Sequence, residues 1–144
     1  MHFPLNFFSL VISPLKDEQK CFACGKLNKY GLHLEFSRID HNTLRTTFTP
    51  LDHHQGWANY MHGGLISTIL DEVMVRLPQE LGLRVMTAEM TVRFEAAITV
   101  GTPLVAEAKI IDRNKRLIRA EAILISSDRK KQYASATAKL IPVR

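Results

Sequence analysis

The feature that most constrains the fold is a change in the spacing of apolar residues at Gly63-Gly64. It marks the start of the one predicted helix in a chain that otherwise has the pattern of strands. Beyond this point apolar residues recur at intervals of three and four, at Ile66, Ile69, Leu70, Val73 and Leu77. This spacing places them on one stripe and predicts an amphipathic helix. We expect Pro78 to end or kink the helix and Gly82 to mark its exit.

The segments on either side of this helix alternate apolar and polar residues, which is typical of strands. Two strands are expected before the helix, around a turn at residues 40–42, and four after it, joined as an antiparallel meander by short hairpins. The six are Leu32–Phe36, Leu44–Phe48, Val85–Phe94, Pro103–Asp112, Leu117–Ser126 and Gln132–Ile141. Because one helix covers one face of such a sheet, we expect it on the concave face, with a sheet edge open to a second copy.

This order predicts a single α+β domain over residues 1–144, in which residues 1–20 form an irregular arm. A chain of 144 residues with 46% apolar content can bury a sufficient core without disulfides. It contains no uncharged apolar run of membrane-spanning length and no basic leader with a cleavage site, so we expect neither a membrane span nor a secretory signal. Two cysteines without an export signal favour a cytoplasmic location.

The charge is distributed unevenly along the chain. Residues 1–104 hold nine basic and ten acidic side chains, whereas residues 105–144 hold ten basic and four acidic ones. A positive half favours an anionic partner, such as a nucleic acid or a small polyphosphate. No arginine-rich run and no basic array interleaved with aromatics is present, so we expect no nucleic acid as partner.

The segment His62 to Glu72 combines two glycines at a helix start with an acid further along. The amides of Gly63 and Gly64 lie at the positive end of the helix dipole, where they can stabilise an oxyanion or polarise a carbonyl. Asp71 follows Gly64 by close to two helical turns, about 10 Å along the axis, between apolar neighbours. If both groups act on one substrate atom, Asp71 has to come from a second, antiparallel copy of the helix.

These residues resemble the hotdog-fold acyl-CoA thioesterases of the phenylacetate-degradation type. The resemblance covers nearly the whole chain: a CFACG segment followed by Asn and Gly-Leu within residues 21–32, a QGW…HGG…D core within residues 55–71, and the strand TAEMTVRFEAAI within residues 87–98. It implies a curved antiparallel sheet around one long helix, assembly as a homodimer or homotetramer, and hydrolysis of acyl-CoA without metal or cofactor, coenzyme A being part of the substrate.

The resemblance also implies residue roles. The amide of Gly64 or Gly63 polarises the thioester carbonyl, and Asp71 of the partner subunit is the general base or the nucleophile. Thr87 corresponds to a hydroxyl residue that orients the attacking water. Some relatives also hold this water with an Asn before the HGG motif, where this chain has Gln55.

Further residues are expected to contact the substrate or to shape its pocket. They are His62, Gln55 and Trp57 near the glycines, and, for the coenzyme A phosphates, Arg113, Lys115 and Arg116 in one turn or residues 129–131 in the next. Glu72 is expected to face solvent or to pair with Arg76.

Two other functions fit the same pattern. A hotdog domain of this kind can bind acyl-CoA without turnover, or it can act as a dehydratase or hydratase if His62 faces the pocket. The Cys21-x-x-Cys24 pair fits buried structural thiols, half of a metal site or a redox pair. Since no second such pair follows and only His33 is close, we expect buried thiols and no metal.

Overall fold

The computed structural model describes residues 15–143, which form one helix packed on one six-stranded sheet. The helix α1 spans Gly63–Glu80, and a short 3-10 turn precedes it at Asp52–His54. The strands are β1 Phe36–Asp40, β2 Thr43–Phe48, β3 Val85–Phe94, β4 Leu104–Arg113, β5 Ile118–Ser126 and β6 Gln132–Pro142. This α+β arrangement confirms the predicted fold class.

The strands are antiparallel throughout, in the order β1-β2-β4-β5-β6-β3. The expected four-strand meander is therefore wrong for β3, which lies at the far edge of the sheet and pairs with β6 instead of β4. The segment between β3 and β4 crosses the sheet, and Gly101 in it adopts a φ of 89° that favours glycine. Only β4, β5 and β6 form a meander.

The predicted apolar stripe of α1 is confirmed, since all five of its residues are buried in the core together with Met74. The helix packs against β2 to β6 and thereby covers one face of the sheet. Pro78 does not end it, because two more helical residues follow before Leu81 caps it and Gly82 turns away with a φ of 84°. The Pro78 carbonyl accepts hydrogen bonds from Leu81 and Leu83, which closes the last turn.

The first strand begins later in the chain than the sequence predicts, at Phe36 instead of Leu32. The amides of Leu32 and Leu34 donate to the carbonyls of Phe22 and Ala23 rather than to β2, so this segment pairs with the cysteine-containing turn. The strand itself begins at Phe36 and pairs with β2 across the predicted turn. Alternation alone could not separate these two partners, because both pairings use extended backbone.

The two ends of the sheet carry different loops. Phe94 lies opposite Ala134, and the Met61 amide donates to the Ile98 carbonyl, so the start of α1 lies at the same end as the β5–β6 turn. The β4–β5 turn lies at the opposite end, where Arg113 pairs with Ile118. This distinction decides which basic loop is near the helix N-terminus within one chain.

Residues 1–14 of the predicted arm lie outside the described residues, and residues 15–20 contain no helix or strand. Within residues 15–143 no helix has the length and apolar character needed to cross a membrane.

Candidate active site

Asp71 is half-buried on α1 and forms one short hydrogen bond, which it accepts at Oδ1 from the Thr87 hydroxyl at 2.6 Å. Burial raises the pKa of the Asp71 carboxyl, and the Thr87 hydrogen bond partly opposes this shift. Thr87 lies at a register shift of β3, where two residues of β3 face one of β6. Such bulges redirect side chains, and here the bulge adjoins the residue that donates to Asp71.

The two glycine amides at the start of α1 are not equivalent. The Gly64 amide donates to Nδ1 of His62 at 2.8 Å, so His62 is the helix N-cap and its Nδ1 is an unprotonated acceptor. The expectation that both amides are free is therefore wrong for Gly64. The Gly63 amide, in contrast, finds no acceptor among residues 15–143 and is available to a ligand.

Gly63 and Asp71 are separated by eight residues of the same helix, about 12 Å along its axis. A carbonyl oxygen bound at the Gly63 amide therefore cannot have its carbon next to Asp71 of the same chain.

The aromatic and amide residues before the helix lie in a tight loop. The Gln55 side chain accepts from the Asn59 amide and donates to the Asp52 carbonyl, so both ends of its amide are used within this loop. Trp57 is 87% exposed. Neither residue contacts Asp71 or Thr87 in the described chain.

Phe94 is a residue of this region that sequence reasoning missed. Its ring lies beside Gly63, so that a Cβ at Gly63 would be 3.5 Å from Phe94 Cε1, and the side chain remains 55% exposed. The sequence indicated only that Phe94 belongs to a strand. An exposed aromatic ring beside a free amide offers an apolar wall for whatever the amide binds.

The basic turns differ in location and in partners. Arg113, Lys115 and Arg116 lie around the β4–β5 turn, at the end of the sheet away from Gly63. Residues 129–131 lie at the end that carries Gly63, and Gln132 Nε2 there donates to Glu95 next to Phe94. Arg129 pairs with the buried Glu107 at 2.6 Å, which leaves Lys130 and Lys131 as the more available cations of that turn.

The cysteine pair departs from expectation. Cys21 is exposed rather than buried, Cys24 is half-buried, and both are free thiols. Glu72 is half-buried beside them instead of facing solvent, and Arg76 Nε pairs with Glu80 at 3.1 Å rather than with Glu72. Burial, followed by the neighbouring Glu72, raises the pKa of the Cys24 thiol strongly.

Comparison with known proteins places this arrangement in a family. Residues 58–132, which include α1 and the strands β3, β4 and β5, match the family described as the thioesterase superfamily. The chain belongs to the thioesterase superfamily. The resemblance seen in the sequence is thereby confirmed at the level of this superfamily.

Among relatives, the acyl-coenzyme A thioesterase THEM4 of Xenopus laevis is 24% identical over 133 residues, covering 90% of this chain. The chain spans only 60% of that relative's length.

Two solved structures show the same fold. The PaaI protein of the Escherichia coli phenylacetic acid degradation operon matches with a TM-score of 0.73 at 18% identity. The match covers 78% of this chain and 81% of the PaaI chain. A hypothetical thioesterase protein of Streptococcus pneumoniae with coenzyme A matches with a TM-score of 0.71 at 14% identity. The match covers 76% of this chain and 85% of the Streptococcus pneumoniae chain.

Proposed function

We propose that this chain hydrolyses an acyl-CoA thioester at sites formed between two copies of itself. The observation that supports this most directly is the pairing of a half-buried carboxylate, Asp71, with the Thr87 hydroxyl, on the same helix as the free Gly63 amide. The chain is a member of the thioesterase superfamily, and in the proposed reaction these groups provide a base and an oxyanion donor.

The proposed reaction needs two chains for each site. The Gly63 amide of one chain donates to the thioester oxygen, which makes the carbonyl carbon more electrophilic. Asp71 of the partner chain takes a proton from water as the water oxygen bonds to that carbon. The tetrahedral intermediate then expels the coenzyme A thiolate, which takes up the proton held by Asp71. The free acid is released. Attack by Asp71 itself, followed by hydrolysis of the anhydride, gives the same products.

The Thr87 hydroxyl has two roles in this scheme. It donates a hydrogen bond to Asp71. This bond keeps the carboxylate oriented and favours its charged form. Its oxygen lone pairs remain able to accept a hydrogen bond from the attacking water. Since the side chain of Gln55 is used within its own loop, we assign the water to Thr87 and Asp71 rather than to Gln55.

For substrate binding we propose that Phe94, together with the exposed Trp57, forms a wall of the acyl site, and that His62 acts as the helix cap. Coenzyme A binds in the Streptococcus pneumoniae relative, which supports the same class of ligand here. Lys130 and Lys131 lie at the same end of the sheet as Gly63, which favours them over Arg113, Lys115 and Arg116 as phosphate contacts within one chain. We also propose a cytoplasmic location, in keeping with the two free thiols.

The decisive experiment is a hydrolysis screen of the full chain against aliphatic and aromatic acyl-CoAs, with release of the coenzyme A thiol as the readout. Asp71→Asn should lower kcat about a hundredfold or more while coenzyme A ester binding persists. Glu80→Gln, which removes an exposed carboxylate from the same helix, is the matched control and should retain activity. Binding of acyl-CoA without turnover by the wild type would instead indicate a sensor, and hydration of an enoyl-CoA would indicate a hydratase.

The phosphate assignment has its own test. The double variant Lys130→Glu/Lys131→Glu should raise KM for acyl-CoA but not for the matching acyl-pantetheine, which lacks the nucleotide phosphates. Lys115→Glu/Arg116→Glu is the comparison. If only this second pair raises KM selectively, the β4–β5 turn of the partner chain is the phosphate site instead.

A further inference from the structure

Outside the candidate active site, Cys21, Cys24 and Glu72 form a compact cluster of potential metal ligands. One sulfur from each cysteine and one carboxylate oxygen all lie within 4.8 Å of one another. Cys21 Sγ is 3.9 Å from Glu72 Oε1 and 4.0 Å from Oε2, although 51 positions separate these residues in the sequence.

The cluster is held in place by its backbone. The Gly25 amide donates to the Cys21 carbonyl at 2.8 Å, and a side chain at Gly25 would collide with the backbone of Cys21 and Gln19. The buried Ala23 and the backbone pairing of residues 22–23 with residues 32–34 fix this turn on the core. Glu72 comes from α1, so the three ligands are attached to two rigid elements rather than to a mobile loop.

We propose that Cys21, Cys24 and Glu72 bind one divalent metal ion of the zinc class. Tetrahedral zinc with bonds of about 2.3 Å to sulfur and about 2.1 Å to oxygen requires ligand separations of about 3.6–3.8 Å. The Cys21–Glu72 separation of 3.9 Å is close to these values, and the other two separations lie within 4.8 Å, so each needs to contract by at most about 1.2 Å. Because Cys21 is exposed, the fourth position of the ion opens to solvent and takes a water molecule.

The charge balance of the cluster fits a cation. Two thiolates and one carboxylate carry three negative charges, which a divalent ion reduces to one. The Arg76 guanidinium pairs with Glu80 and is also close enough to be attracted by Cys24 and Glu72. Such charged neighbours around the ligands are usual in metal sites.

A redox-active disulfide fits the same residues less well. Reactive Cys-x-x-Cys pairs commonly lie at a helix N-terminus, whereas this pair lies in a turn with the Glu72 carboxylate beside both sulfurs. The Glu72 carboxylate lies beside both sulfurs, and this arrangement of anionic groups is favourable to a bound cation.

The proposal does not depend on the proposed hydrolase activity. Its consequence is structural, since the ion would fasten the cysteine turn to α1 at the residue next to Asp71.

The test uses the full chain, fully reduced with a phosphine and stripped of metal by a chelator. Zinc is titrated against a chromophoric competitor, and cobalt(II) is added in a parallel experiment. We expect one zinc ion per chain and, with cobalt, the near-ultraviolet absorption of thiolate-to-metal charge transfer. Cys21→Ser, Cys24→Ser and Glu72→Gln should each weaken zinc binding at least about tenfold.

Glu18→Gln is the control, because Glu18 is an exposed carboxylate three residues before Cys21 and not part of the cluster. It should bind zinc as the wild type does, and circular dichroism should show all variants folded. Failure of the reduced wild type to take up either metal overturns the proposal, and this result requires no variant. The proposal is also overturned if the Cys21→Ser/Cys24→Ser double variant binds zinc as the wild type does. A Cys21–Cys24 disulfide that persists in a cytosolic glutathione buffer overturns it as well.

Discussion

If each site takes its oxyanion donor from one chain and its base from the partner, two inactive variants should restore each other's activity when mixed. Gly63→Pro removes the free amide without removing a helix hydrogen bond, because Gly63 is the first residue of α1. The preceding His62 already has the extended backbone, φ −64° and ψ 132°, that a following proline requires. The added Cβ would meet the Phe94 ring at ordinary contact distance.

The expected magnitudes follow from this arrangement. Loss of one oxyanion donor costs about 100-fold to 1000-fold in kcat. Gly63→Ala is the matched control, since it adds the same Cβ but keeps the amide, and it should retain most of the activity. In an equal mixture of Gly63→Pro and Asp71→Asn chains, about half of the dimers are mixed. Each mixed dimer has one site with both lesions and one site with none, so activity should recover to about a quarter of the wild-type value.

The assay is release of the coenzyme A thiol from the best substrate of the acyl-CoA screen. Differently tagged chains and native mass spectrometry establish how many mixed dimers are present. Absence of recovery in a preparation rich in mixed dimers would refute the shared site. Equal activity of Gly63→Pro and Gly63→Ala would refute the role of the amide.

Three further outcomes are expected. Thr87→Val removes the hydrogen bond that lowers the pKa of Asp71, so the acidic limb of the pH profile of kcat should move to higher pH. Thr87→Ser keeps the hydroxyl and should leave this limb in place. Identical profiles of the two variants would contradict the contact between Thr87 and Asp71. Because burial raises the pKa of Asp71 in the folded chain, its ionisation destabilises the fold as pH rises above the ordinary carboxyl value of 3.8. Asp71→Asn should therefore raise Tm at pH 7 and lose this advantage as pH falls towards 3.8, and a Tm difference independent of pH would argue against it. Ile69→Ala, at a fully buried position of α1, should lower the free energy of unfolding by about 2–5 kcal/mol in denaturant titration, and a loss below about 1 kcal/mol would place Ile69 outside the core.

Much of the local structure could be predicted because it depends on neighbours in the chain. The spacing of Ile66, Ile69 and Leu70 determines which face of α1 is apolar, and alternation located the four strands after the helix to within a few residues. The same local logic marked the glycine pair and Asp71 as the unusual groups of this helix. Their separation along α1 follows from helical rise alone.

The order of the strands could not be predicted in the same way. Whether β3 pairs with β4 or β6 depends on the path of the intervening segment across the sheet, and both pairings satisfy the same alternation. The end of the sheet on which each basic turn lies follows from that order. For this reason the sequence does not decide between residues 113–116 and residues 129–131 as phosphate contacts.

What the sequence by itself determined is the set of elements, the apolar stripe and the spacing between Gly63 and Asp71, since each depends on backbone geometry within one element. Tertiary structure alone decided that His62 occupies the Gly64 amide but leaves Gly63 free, that Thr87 meets Asp71, and that Glu72 joins the two cysteines. The first contact is local and depends on the direction of the His62 side chain, whereas the other two depend on packing between segments further apart in the chain. The sequence pattern specifies neither.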